Sequence, residues 1–269
     1  MRVWASVRNL TLAVGCLGLL GGCGTNPNAR PAGDVLDRPE VTRSLLEAAA
    51  AAEAQNDFAT AAGYYRNIYA RDPNNVRAAV GLLQSLRSLG TLDQAREIAD
   101  RAIVAKPGDP AIVAEVGKVR LATGQLQDAV SLLKRASELD PQDWRSRSAL
   151  GVAYDRLGDS QHAAESYEAA LRVSPDNAAV LNNLALSRAM ASDLPGAREL
   201  LQRAVASAGA DLRVRQNLAL IYALSGDMAQ AEALTLRDLS PDAARETLAY
   251  YRELAARAQS RPPEPTRSP

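Results

Sequence analysis

Nucleophilic or metal-binding chemistry in this 269-residue chain would have to come from one histidine, two cysteines and the carboxylates. His162 stands beside Gln161, with no second histidine to share a metal ion. A Cys/His zinc site needs four such ligands, and a histidine-dependent triad needs a nucleophile and an orienting acid besides its base. An exposed, solvated position is the reading its surroundings favour. Gly117-Lys118 is followed by Val119 and lacks the upstream glycine of a phosphate loop. Acid pairs such as Glu165 and Glu168 are spaced as charges on the solvent face of a helix. The residues therefore describe a non-catalytic chain, with no catalytic group, no cofactor or metal site, and no small-molecule substrate.

The cysteines point elsewhere. Residues 1–8 carry Arg2 and Arg8 and no acid, 10–20 are an apolar run, and Gly21-Gly22-Cys23 closes it with small residues. That order describes a secretory signal, and the run falls short of the ~20 apolar residues that span a bilayer. Leu20-Gly21-Gly22-Cys23 resembles the lipobox of bacterial lipoproteins. The resemblance implies a signal peptide over 1–22 and a diacylglycerol on the Cys23 thiol; an ordinary secretory signal is the alternative. Cutting at Cys16, in Ala13-Val14-Gly15-Cys16, would leave too little hydrophobic core. Multiple acyl chains give stable anchoring at ~0.8 kcal/mol per buried methylene. Gly24, rather than aspartate, after the cysteine favours the outer membrane, facing the periplasm.

The mature chain would then hold no thiol but the lipidated one and must rely on its core rather than on disulfides. Removing 1–22 takes two of the 31 basic residues and none of the 31 acidic ones. A slightly acidic chain has no electrostatic footprint for nucleic acid.

The elements that position everything else are written in two ladders. Pro73, Pro107, Pro141 and Pro175 are spaced by 34 residues, and the next step lands on Gly209. Ala61, Ala95, Ala129, Ala163, Ala197 and Ala231 keep the same period. A 34-residue period resembles the tetratricopeptide repeat (TPR), which implies an all-α superhelical solenoid of helix–turn–helix units. The frames are 42–75, 76–109, 110–143, 144–177, 178–211 and 212–239, followed by a capping helix over 241–257. Small residues at Gly117, Gly151, Ala185 and Ala219 let the first helix of a repeat approach its neighbour closely. Asn56, Gly90, Gly124, Gly158, Ser192 and Gly226 sit between paired helices, where a left-handed conformation ends the first. Arg120 and Arg188 replace a usual aromatic, and Thr235 another, which should weaken single contacts. Residues 23–41 read as a lipidated flexible tether and 258–269, with Pro262-Pro263-Glu264-Pro265, as a disordered tail.

The remaining functional surface is the concave groove lined by the first helices, and its partners would be other proteins. Arg43, Arg77, Arg145 and Arg213 share the second position of their frames and could form a basic stripe for an acidic or C-terminal carboxylate client. Ordinary solvated charges are the competing reading. Asn182, Asn183 and Asn217 also fall on first helices and are similar to groove asparagines that hold a peptide backbone. The carboxylate-clamp pattern is absent, since its positions hold Leu46, Ala50 and Val80.

The C-terminal part narrows the resemblance. Leu212-Arg-Val-Arg-Gln-Asn-Leu-Ala-Leu-Ile-Tyr-Ala-Leu-Ser-Gly-Asp227, Arg237-Asp-Leu and Leu248-Ala-Tyr-Tyr-Arg252 resemble the end of the TadD lipoproteins of tight-adherence (Flp-type) pilus assembly. That family implies a periplasm-facing outer-membrane lipoprotein needed for the pilus secretion channel, pilotin-like towards the secretin. The alternatives within the same class are TPR lipoproteins of type IV pilus biogenesis, of outer-membrane protein insertion, or of cell-wall synthase regulation.

Overall fold

The computed structural model describes residues 39–260, and every regular element within them is an α-helix. In chain order these are α1 (Pro39–Ala54), α2 (Phe58–Arg71), α3 (Val76–Ser88), α4 (Leu92–Ala105), α5 (Pro110–Ala122), α6 (Leu126–Leu139) and α7 (Trp144–Leu157). They continue as α8 (Ser160–Val173), α9 (Ala178–Met190), α10 (Leu194–Ala206), α11 (Leu212–Leu224), α12 (Met228–Asp238) and α13 (Pro241–Ser260). Each helix packs on the next, and successive first helices also touch, which is the geometry of a solenoid. α1 starts at Pro39, before the frame's 42, and α13 runs past 257 to Ser260. The signal segment, Cys23 and the proline-rich tail lie outside the described residues. None of the described helices is long and apolar enough to cross a membrane.

Local sequence sets the helix ends. Asp or Asn side chains cap most helix starts: Asp57 accepts from the Thr60 N–H at 3.1 Å, Asn177 from Val180 at 3.2 Å and Asp211 from Val214 at 3.0 Å. Every residue assigned to an intra-repeat turn has positive φ, from Gly158 at 79° to Ser192 at 67° and Asn56 at 58°. Ser192 carries a Cβ into a conformation that glycine adopts freely.

Paired helices cross on small residues. All six alanines of the 34-residue ladder are 0% exposed, because the neighbouring helix leaves no room for more than a methyl. On the facing helix a large side chain lies over a glycine. A Cβ on Gly151 would stand 2.7 Å from the Tyr167 ring, and one on Gly117 2.8 Å from Leu133. The second repeat reverses the sizes. Leu83 takes the small-residue station and Ala99 the large one, and both are 0% exposed in one core cluster. There α3 and α4 pair less closely than the helices of other repeats, while α3 packs more closely on α5.

Polar contacts then tie repeats together. Tyr167 Oη donates to Asp155 Oδ2 at 2.8 Å, and Ser187 of the next repeat donates to Asp155 Oδ1 at 2.6 Å. Tyr65 Oη makes the matching bond to Glu53 Oε2 at 3.0 Å. Arg120 and Arg188 do more than leave aromatic contacts unmade. Arg120 pairs with Asp100 on the preceding second helix, and Arg188 Nη2 lies 3.7 Å from Glu168 Oε1. At the same station Gln202 Nε2 donates to Tyr222 Oη at 2.9 Å. Thr235 is buried and donates to the Ala231 carbonyl at 2.7 Å. The array closes with α13, whose Leu248 and Tyr251 are buried against α11 and α12. Tyr251 Oη donates to the Gln216 carbonyl at 3.1 Å.

Two substitutions should move stability in opposite directions. Gly151→Ala overpacks the Tyr167 contact and costs about 1–3 kcal/mol. Ser192→Gly relieves the left-handed turn and gains about 1 kcal/mol. Thermal melts followed by circular dichroism check both; a rise for the first or a fall for the second contradicts this packing.

Alkaline pH should loosen the first repeat. Burial, reinforced by the bond to Glu53, pushes the Tyr65 hydroxyl up from 10.0 to about 12. A folded pKa raised in this way gives stability that is complete below pH 10.0 and is lost as pH rises through about 12. Tyr65→Phe should flatten the fall of melting temperature across that window.

Candidate partner-binding groove

The first helices bring their inward residues together on one side of the array. Between α3, α5, α7 and α9 lies a groove of about 380 Å³. Its floor is apolar, with Leu121, Val152 and the Trp144 ring, and Arg87, Lys118 and Arg145 stand along it. Ser148 and Asn183 supply neutral hydrogen-bonding groups.

Two of the three cations are fixed by a buried acid. Glu115 is 1% exposed. Its Oε1 accepts from Arg87 Nε and Nη2 at 3.0 and 2.9 Å, and its Oε2 accepts from Lys118 Nζ at 3.3 Å. The carboxylate thereby joins the second repeat to the third and aims both cations along the groove. A buried acid left with fewer partners is strongly destabilising. Arg145 is held differently: its guanidinium lies over the Trp144 ring, 4.5 Å from the centroid, a cation–π contact. The groove therefore carries a surplus of positive charge over an apolar floor, with donors to spare for an anion.

Of the four arginines read as a stripe, Arg145 alone lines this groove. Arg43 and Arg77 are exposed at the starts of α1 and α3. Arg213 is exposed at the start of α11, 3.6 Å from Asp211 Oδ2. The sequence pattern does not single out Arg87 and Lys118. They occupy the twelfth and ninth positions of their repeats, about three and two turns further along the inward face than the second position.

The asparagines are linked to one another. Asn217 Nδ2 donates to Asn182 Oδ1 at 2.7 Å, and Asn182 Nδ2 to Asn183 Oδ1 at 3.4 Å. Asn182 is 1% exposed and ties α9 to α11, so Asn183 is the member of the set that faces the groove. In the last repeat Asp238 accepts from Arg215 Nε at 2.7 Å. Burial pushes its carboxyl up, but hydrogen bonds from Arg215 and Arg237 outweigh that and hold it below the usual carboxylate value.

His162 is exposed. Its ring stacks on Tyr154 with centroids 5.1 Å apart, and Nδ1 lies 2.6 Å from Asp159 Oδ2. Asp159 also caps α8 by accepting from the His162 N–H at 3.1 Å, so the histidine belongs to a helix start. Among the described residues no group of three or more His, Cys, Asp or Glu could hold a metal ion.

A tetratricopeptide repeat model matches residues 46–110, 117–172 and 149–212, so the chain belongs to the tetratricopeptide repeat family. Members of this family serve in general as scaffolds that bind other proteins. Three solved structures show the same fold. A thermophilic TPR protein of Thermus thermophilus is 20% identical with a TM-score of 0.61, over 67% of this chain and 98% of that one. PilF of Pseudomonas aeruginosa is 18% identical with a TM-score of 0.62, over 78% and 98%. A chain of the APC/C Cut9–Hcn1 hetero-tetramer is 22% identical with a TM-score of 0.69, over 81% of this chain and 44% of that one. No curated protein matches the chain.

Arg87 and Arg145 should separate structure from recognition. Arg87→Ala leaves Glu115 buried with one partner and costs about 3 kcal/mol. Arg145→Ala removes an exposed side chain and changes stability by no more than ~0.5 kcal/mol. Urea titrations measure both; equal losses would contradict the assigned roles.

Proposed function

We propose that this chain is an outer-membrane lipoprotein, anchored through Cys23 and facing the periplasm, that acts as a non-catalytic scaffold in assembly of a Tad/Flp pilus secretion channel. Its client is the secretin, held by an acidic segment in the concave groove, a pilotin-like role. The observation that carries this reading is the row Arg87, Lys118 and Arg145 above the apolar floor of Leu121 and Val152. An extended segment that places a carboxylate beside a bulky apolar side chain matches both features. The TadD-like run over 212–227 and the Tyr250-Tyr251 pair support the pilus system, and the lipobox supports the anchor. PilF is 18% identical, and that likeness speaks to fold.

A lipid anchor and a groove suit escort work. The acyl chains give a membrane address, and the solenoid offers an elongated surface to a client that has yet to assemble.

Two measurements test the proposal. Cys23→Ser should abolish metabolic labelling with a fatty acid; equal labelling of wild type and variant would sink the anchor. Arg145→Glu, with an unchanged melt, should reduce secretin co-purification from pilus-expressing cells by roughly tenfold or more, since a lost charge-assisted hydrogen bond costs ~1.5–3 kcal/mol. Arg145→Ala alone should also reproduce most of the loss seen when Arg43, Arg77, Arg145 and Arg213 are all replaced by alanine. Undiminished secretin capture by Arg145→Glu removes the groove from the mechanism.

A further inference from the structure

The first junction between repeats lacks the polar tie that three later junctions carry between a first helix and the second helix before it. Where α5, α9 and α11 place Arg120, Arg188 and Tyr222 against a polar residue of the preceding second helix, α3 places Leu86. Its counterpart on α2 is Arg66, which has nothing to pair with there and instead donates Nη2 to Gln94 Oε1 of α4 at 3.1 Å. Between α2 and α4, on the layer of second helices and so away from the concave groove, a cavity of about 400 Å³ is left. That volume is in the range of ligand sites.

The cavity has an apolar floor and a set of donors. Leu86 and Ile98 form the floor, at 2% and 9% exposure. Tyr69 is buried in the wall, and its hydroxyl makes no hydrogen bond within the described residues. Burial keeps that hydroxyl protonated by pushing its pKa up, with the Arg101 charge opposing in part. Arg101 uses Nε on the Glu97 carbonyl of its own helix at 3.3 Å. Neither Arg66 nor Arg101 makes an ion pair with a described carboxylate. Arg66, Tyr69 and Arg101 thus present donors around an apolar pit, Gln94 adds its amide, and Glu97 is the one acid among the described residues that line it.

A ligand that satisfies this set carries a single carboxylate next to an apolar group. It also carries an N–H donor, because the Glu97 carboxylate would repel a ligand that brought acceptors alone. A fatty acid lacks that donor. The last residue of a polypeptide has all three, since its α-carboxylate, side chain and amide N–H leave one Cα. We propose that this cavity captures the C-terminal residue of a partner protein, its carboxylate on Arg66, Tyr69 and Arg101 and its apolar side chain on Leu86 and Ile98. The site is separate from the groove and does not depend on the pilus reading.

The test uses the mature chain kept free of lipid by Cys23→Ser and the pentapeptide Gly-Ser-Gly-Ser-Leu, free or amidated at its C-terminus, titrated by fluorescence anisotropy. The free acid should bind roughly tenfold more tightly than the amide, as expected for loss of charge-assisted bonds. Arg101→Gln and Arg66→Gln should each weaken it by a similar factor with unchanged melts, and Tyr69→Phe by a smaller one. Leu86→Arg, which installs the residue of the α5 junction, should abolish binding by filling the pit, while Arg145→Ala in the groove should leave it intact. Equal binding of acid and amide, decanoate binding at least as tightly as the peptide, or loss of binding in Arg145→Ala but not Arg101→Gln would overturn the proposal.

Discussion

The close approach of paired helices on methyl-sized or smaller residues is the constraint on which the rest of the array rests. A TPR hairpin exposes two apolar stripes and buries them only against its neighbours. The crossing must therefore be close enough for side chains of one helix to lie over the backbone of the next. Ala163 and Ala197 at 0% exposure, and the Tyr167 ring over Gly151, show how little space separates them. A fixed crossing repeated along the chain produces curvature. Curvature puts the first helices on an inner surface and gives the protein a groove without any loop dedicated to binding.

The two faces use charge differently. On the inner face Glu115 engages its buried carboxylate with Arg87 and Lys118 and leaves Arg145 free of any acid, so a net positive row lines the groove. On the outer face charges are used in pairs between successive repeats, as Arg120 with Asp100 and Arg188 with Glu168. Pairs with at least one exposed partner contribute little each; their value here is to fix how one repeat sits on the next. At the first junction, where Leu86 stands in place of such a pair, the outer face opens into a cavity.

The solenoid was legible because period survives substitution. The ladder from Ala61 to Ala231 and the turn residues from Asn56 to Gly226 all appear in the structure where the 34-residue spacing puts them. Contacts between repeats were not legible, because their partners lie at offsets the period does not announce: 20 residues for Arg120 with Asp100, 28 for Arg87 with Glu115. The size reversal at Leu83 and Ala99 also escaped, since each residue alone looks like core. At the groove the sequence pointed to the second position of each frame, and the structure gathers cations from the ninth and twelfth as well. Asn182 illustrates the limit of reading a face from position alone: it lies on a first helix, yet its amide is taken up between α9 and α11.

The proposed client lies in the concave groove between the second and fifth repeats. Site-specific photo-crosslinking in pilus-expressing cells tests it most directly, with a benzophenone side chain at Val152 on the groove floor or at Glu165 on the exposed side of α8. A client in the groove gives a secretin adduct from position 152 and none from 165. Adducts of equal yield from both positions, or from 165 alone, would contradict it.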